Sequence, residues 1–140
     1  MKKFICIIFI SFLLLSTNSF SQTINLSTDS IATLLCKKWE VDYAMMGNMK
    51  IRRIPSATEI NFEFYKDKSL LLTSNDSKVK AKGTWAYDTK KKIIKLTVNG
   101  NSNSNVISLK EGELIMLVDT KEATPDDPMD IKMVYKIKTK

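Results

Sequence analysis

Short segments in which apolar and polar residues alternate follow one another from Trp39 to the end of the 140-residue chain. Alternation with a period of two is typical of a β-strand that has one buried face and one solvated face. Eight such segments are present, at about residues 38–45, 59–65, 69–73, 79–87, 94–98, 104–110, 113–119 and 129–138. Eight strands this close together predict one antiparallel barrel or sandwich.

Most connections between these segments are of hairpin length, and Asn99-Gly100 is a strong signal for a type I′ turn. Strands joined by short connections usually pair with their sequence neighbours. We therefore expect an all-β fold, an eight-stranded antiparallel up-and-down barrel. The interior of such a barrel is either filled by side chains or holds one small ligand.

A short helix is expected at about residues 29–36, immediately before the first strand. Thr28 is a candidate N-cap, and the apolar residues at spacings of three and four share one face: Ile31, Leu34 and Leu35. In the first strand, strict alternation predicts one common face for Trp39, Val41, Tyr43 and Met45. We expect Trp39 to close the far end of the barrel.

Residues 1–21 have the pattern of a secretion signal. Lys2 and Lys3 precede an apolar run at residues 4–15, and small residues stand at Ser19 and Ser21, which predicts cleavage before Gln22. The expected organisation is thus a signal peptide at 1–21 and one barrel domain at 22–140. The expected location is the periplasm or the exterior of a cell.

The chain is moderately basic, with a net charge of +7. Residues 1–21 hold two of the 22 Lys and Arg residues and none of the 15 Asp and Glu residues, so their removal leaves +5. The lysines are spread over outward strand positions, which favours a solvated face and predicts no nucleic-acid partner. After cleavage Cys36 is the one remaining cysteine, and its apolar neighbours favour a buried structural role.

The chain contains no histidine, which removes His-based catalytic triads, His general bases and His metal ligands. We therefore expect no enzymatic activity, no catalytic residues and no cofactor. Five acidic residues cluster near the C-terminus, at Asp119, Glu122, Asp126, Asp127 and Asp130, but their spacing matches no calcium-binding loop. No metal site is expected.

The chain resembles the lipocalins, and more closely the small lipocalin-like domain proteins exported by bacteria of the Bacteroidetes type. The resemblance covers nearly all of residues 22–140 and is carried by Leu-Leu-Cys-Lys-Lys-Trp at 34–39, Tyr-Lys-Asp-Lys-Ser at 65–69, Gly-Thr-Trp-Ala-Tyr-Asp at 83–88 and Ile-Ile-Lys-Leu at 93–96. It implies a barrel whose first long loop lies over an open mouth. It implies little about the ligand.

Two groups of residues are candidates for a ligand site. In the long connector at 46–58, Met46 and Met49, with the preceding Met45, offer adaptable apolar contacts, and Arg52 and Arg53 are suited to an acidic head group. Inward aromatic residues are candidates for the cavity wall: Tyr43, Phe62, Phe64, Trp85, Tyr87 and Tyr135. A filled core is an equally good interpretation of this second group.

The sequence thus supports two functional hypotheses. The first is an exported, monomeric, lipocalin-like barrel that binds a small hydrophobic or amphipathic molecule. The second is a filled barrel that acts through a protein partner in the cell envelope, as an assembly factor or as an inhibitor of a secreted enzyme. The two differ in whether the interior of the barrel is hollow.

The signal pattern predicts that the exported protein begins at Gln22, within one or two residues. Intact-mass measurement or N-terminal sequencing of the exported form tests this. Recovery of the chain from a membrane fraction with Met1 still present would contradict it.

Overall fold

The computed structural model describes residues 23–53, 59–118 and 131–139, which form one short helix and nine strands. The segment predicted to be a signal peptide lies outside these residues. The helix is α1 (Thr28–Leu35), and the strands are β1 (Lys38–Met46), β2 (Met49–Ile51), β3 (Asn61–Phe64), β4 (Ser69–Thr73), β5 (Val79–Asp88), β6 (Ile93–Val98), β7 (Asn101–Lys110), β8 (Glu113–Val118) and β9 (Ile131–Ile137).

Eight of these strands form the closed antiparallel barrel that the alternation predicts. From β3 to β9 each strand pairs with the next one along the chain, and β9 pairs back with β1 through seven residue pairs. The expected tight hairpin between β6 and β7 is present, with φ of 52° at Asn99 and 77° at Gly100. Positive φ at both central positions is the requirement of a type I′ turn.

The barrel is weakest in backbone pairing between β1 and β3, where only two residue pairs, Lys38–Glu63 and Trp39–Phe62, are in register. Farther along β1, the same edge pairs instead with β2. The expected irregular connector at 46–58 is therefore wrong in its first part. Met46 and Met49 face each other across a two-residue turn, in which Gly47 has φ of 57°.

The expectation of strict alternation in β1 is also wrong. A bulge lies between Val41 and Tyr43 in the pairing with β9 and shifts the alternation by one residue. As a result Ala44, which pairs with the core residue Met133, joins Trp39 in the core. Tyr43 falls on the outer face, where the ammonium group of Lys50 lies 3.7 Å from the centre of its ring.

Helix α1 closes one end of the barrel, which we call the closed end. Ser27, one residue before the predicted Thr28, is its N-cap, and its side-chain oxygen accepts a hydrogen bond from the backbone N–H of Ser30. Ile31 and Leu35, four residues apart on one face, are fully buried in the core. The indole of Trp39 is also fully buried and donates a hydrogen bond of 2.9 Å to the backbone oxygen of Leu35.

A second tryptophan occupies the same half of the barrel. Trp85 is buried, and its indole N–H donates to the backbone oxygen of Tyr65 at 2.9 Å. The N-terminal arm lies against this end as well. Ile24 donates its backbone N–H to Lys92 and accepts a hydrogen bond from the hydroxyl of Tyr87.

Replacement of Trp39 tests how far the closed end depends on this indole. Trp39→Ala should lower the free energy of unfolding by ~3–5 kcal/mol, because it leaves a large cavity in the core. Trp39→Phe keeps part of the ring and removes one of the two donors to the Leu35 oxygen, which still accepts from the backbone N–H of Lys37, so the lost hydrogen bond should cost only ~0.5–1.5 kcal/mol. Urea unfolding measures both values. Near-native stability of Trp39→Ala would refute the anchoring role.

Candidate functional site

Side chains fill most of the barrel interior. The largest residues with almost no exposed surface include Phe64, Leu70, Ile94, Leu96, Val106, Leu114 and Met116, in addition to the two tryptophans. Tyr135 packs edge-on against Phe62, with ring centres 5.4 Å apart, and burial raises the pKa of its hydroxyl. No long apolar chain can pass through this packed half without displacing core residues.

A cavity of about 240 Å³ remains at the opposite end, which we call the mouth cavity. Its walls are the inward-facing side chains of Phe62, Leu72, Leu96 and Val98, and its rim carries three uncharged polar residues, Asn99, Asn101 and Ser104. This volume is smaller than the ~300–1,000 Å³ that is typical of sites for drug-sized ligands. The mouth cavity therefore fits a small molecule or one end of a larger one.

The sequence of β7 explains why space remains here. Ser104 pairs with Leu96 on the inner face of the barrel. The next inward residue along β7 is Val106, whose side chain is larger. A register shift between Leu96 and Val98 also breaks the regular pairing of β6 with β7. A small side chain next to an irregular ladder leaves room that the neighbouring residues do not fill.

The predicted aromatic residues do not all reach this cavity. Phe62 lines it, whereas Phe64, Trp85 and Tyr135 belong to the packed core. Tyr87 is partly buried against the core at the closed end, where its hydroxyl bonds the N-terminal arm. Tyr43 lies on the outer face because of the bulge in β1.

The methionines and arginines of the connector lie along the β1–β2 hairpin rather than in the lining of the mouth cavity. Met45 pairs with Lys132, Met46 pairs with Ile131, and Met49 is 64% exposed. Arg52 and Arg53 follow β2 and are exposed. The part of the connector at 54–58, which was expected to lie over the mouth, is outside the described residues.

A second and larger concavity, of about 510 Å³, lies on the outside of the barrel. We call it the outer groove. Two neighbouring pairs of outward residues on β3 and β4 form its floor: Asn61 with Thr73, and Glu63 with Leu71. One wall is formed by Ser77 and Val79, and the other by Lys38, Lys138 and Thr139.

The two walls of the outer groove are held by local contacts. The backbone N–H of Lys138 donates to the backbone oxygen of Lys38 at 2.9 Å, which places both lysines on the same side. On the other side, the turn at 74–78 is closed by hydrogen bonds between the backbones of Ser74 and Lys78 and from Ser74 to the carboxylate of Asp76. The side chain of Lys38 lies 3.5 Å from that of Glu63.

Asn61 is the unusual residue of the outer groove. It is only 2% exposed, and its amide nitrogen donates to the side-chain oxygen of Asn75 at 3.2 Å. Its amide oxygen is buried and has no hydrogen-bond partner among the described residues. An unpaired buried acceptor costs ~1–3 kcal/mol of stability, so such groups are uncommon in folded proteins.

The residue type and strand position of Asn61 do not mark it as part of a site. Its alternation with Phe62 and Phe64 correctly gives an outward direction. Its burial depends on contact with the turn that carries Asn75, fourteen residues later, and no local pattern predicts that contact.

Neither a reactive cysteine nor a metal site is found among the described residues. Cys36 is a free, half-buried thiol, and burial raises its pKa, so it is protonated and weakly reactive at neutral pH. The described residues contain no group of three or more acidic, Cys or His residues suited to hold a metal ion. The acidic cluster at 119–130 lies outside the described part of the chain.

Within the described residues, no helix has the length and apolar character needed to cross a membrane. Comparison of the chain with family models, curated proteins and solved structures finds no match. The functional argument therefore depends on the geometry of the mouth cavity and of the outer groove.

Proposed function

We propose that this protein is an exported binding barrel that holds a small, neutral, amphipathic molecule in the mouth cavity. The observation that carries the proposal is the contrast between the two halves of the interior. The closed half is packed around Trp39 and Trp85, whereas the other half has an apolar cavity with a polar rim. Apolar walls with a few polar groups are the usual composition of a small-molecule site.

The lining favours a neutral ligand. All seven of the described residues that line the mouth cavity are uncharged, and three of them, Asn99, Asn101 and Ser104, have polar side chains. Amides and hydroxyls both donate and accept hydrogen bonds, so they suit an alcohol, amide or ester group. A carboxylate would lose its hydration there without gaining a cation in exchange.

This ligand differs from the acid that the sequence suggests. The acidic-ligand hypothesis depends on Arg52 and Arg53, which are exposed and do not line the mouth cavity. Their proposed role in binding a head group stays a prediction. The variants Arg52→Ala and Arg53→Ala separate the two hypotheses. They should weaken the binding of an acid if the arginines bind its head group, and they should leave the binding of a neutral alcohol unchanged.

A series of primary alcohols with four to twelve carbons, titrated by calorimetry, tests the proposal. Each methylene buried in the cavity should raise the affinity about fourfold, since burial contributes ~0.8 kcal/mol per methylene. The gain should stop when the cavity is full, because the residues below it are packed. Carboxylic acids of the same length should bind more weakly than the alcohols.

Two serine variants on the same strand provide a matched comparison. Ser104→Val fills the mouth cavity and should weaken alcohol binding at least about tenfold, since the apolar end of the ligand is excluded. Ser108 pairs with Ile115 on the outer side of β7, so Ser108→Val should bind like the unmodified protein. The absence of saturable binding, or equal binding by both variants, would contradict the proposal and favour a barrel that acts through a protein partner.

A further inference from the structure

We propose that the outer groove is a second binding site, and that it takes an extended peptide segment in which acidic and apolar residues alternate. This inference does not depend on ligand binding in the mouth cavity, because the two linings share only Phe62 among the described residues and the floor of the groove is built from outward-facing residues of β3 and β4. Its volume of about 510 Å³ lies within the range of ~300–1,000 Å³ that is usual for binding sites.

Charge determines the acidic part of the ligand. Lys38 and Lys138 stand together on one wall, and Lys82 pairs with the floor residue Leu71 in the β4–β5 register. Glu63 is the acidic residue of the lining and is already close to Lys38. Among the described residues that line the groove, two lysines stand against one glutamate, so a segment with carboxylates meets a net positive charge on the wall formed by Lys38 and Lys138.

Exposed apolar surface determines the other part. Val79 on the opposite wall is 53% exposed, and Leu71 on the floor is half-buried, so an apolar side chain in the groove would cover both. An extended chain presents successive side chains to opposite sides, about 3.3 Å apart along its length. In a segment that alternates acidic and apolar residues, the carboxylates can thus face the lysine wall while the apolar side chains contact Val79 on the opposite wall.

The lining of the groove favours a peptide over an acidic saccharide. An acidic saccharide usually stacks on an exposed aromatic face, whereas the aromatic residue of this lining, Phe62, is 8% exposed. The chemistry of the groove therefore points to a peptide.

A fluorescein-labelled octapeptide of alternating leucine and glutamate is the probe, and anisotropy measures its binding. The control peptide has glutamine in place of each glutamate. The acidic peptide should bind saturably and the control about tenfold more weakly, and raising the salt concentration should narrow the difference, because screening weakens exposed charge pairs. Equal binding of the two peptides, or no saturable binding of the acidic one, would overturn the proposal.

Surface variants locate the site. Lys138→Glu should weaken binding about tenfold, whereas Lys110→Glu, with the same charge change on an exposed residue at the β7–β8 turn, should weaken it less than twofold. Val79→Ser should weaken binding about fivefold by removing apolar contact. Circular dichroism confirms that each variant is folded.

The results that would overturn the assignment are equally specific. Equal weakening by Lys138→Glu and Lys110→Glu would mean that only the net charge attracts the peptide. Displacement of the peptide by a lower concentration of an oligouronate would mean that the occupant is a saccharide. Loss of alcohol binding with retained peptide binding would reject the mouth site alone, so the two proposals fail separately.

Discussion

The hydrogen bond from the Trp39 indole to the Leu35 backbone oxygen joins the helix to the barrel, and the rest of the structure depends on it. Leu35 is the last residue of α1, and Trp39 is the second residue of β1, so this contact joins the two elements at their junction, where the Leu35 oxygen also accepts from the backbone N–H of Lys37. A tryptophan can be buried completely only where its N–H finds an acceptor, and the end of a helix has free carbonyl groups to offer. The indole N–H of Trp85 likewise has an acceptor, the backbone oxygen of Tyr65. The two indoles together occupy the closed half.

The packing of the closed half determines where a ligand can go. Large side chains fill that half, and the indole N–H groups there are already hydrogen-bonded. By contrast, Ser104 and the irregular β6–β7 ladder leave space near the mouth. The weak pairing between β1 and β3 has a second consequence, since it leaves the outward residues of β3 beside the C-terminal residues 138–139 and the turn at 74–78. Both concavities thus follow from positions where the regular barrel is interrupted.

The sequence predicts the regular parts of this structure and misses the interruptions. Alternation gave the barrel, the neighbour pairing and the inward direction of Phe62 and Phe64, because period two is a local property of a strand. The bulge in β1 moved Tyr43 to the outer face, and nothing in the local pattern signals it, since the residues on both sides of the bulge still alternate. The burial of Asn61 and the volume left by Ser104 depend on contacts between distant residues. Residue type alone left Phe64, Trp85 and Tyr135 open to a cavity wall or to a filled core, and the structure places them in the packed core.

The central claim is that, among the described residues, the free volume inside the barrel lies at the mouth and not beside the two tryptophans. Xenon enters apolar cavities and is visible in a crystal structure. A crystal of the protein under xenon pressure should show the gas between Phe62, Leu72 and Leu96, and none beside Trp39 or Trp85. Xenon bound next to either tryptophan would show that the closed half is hollow and would contradict the account.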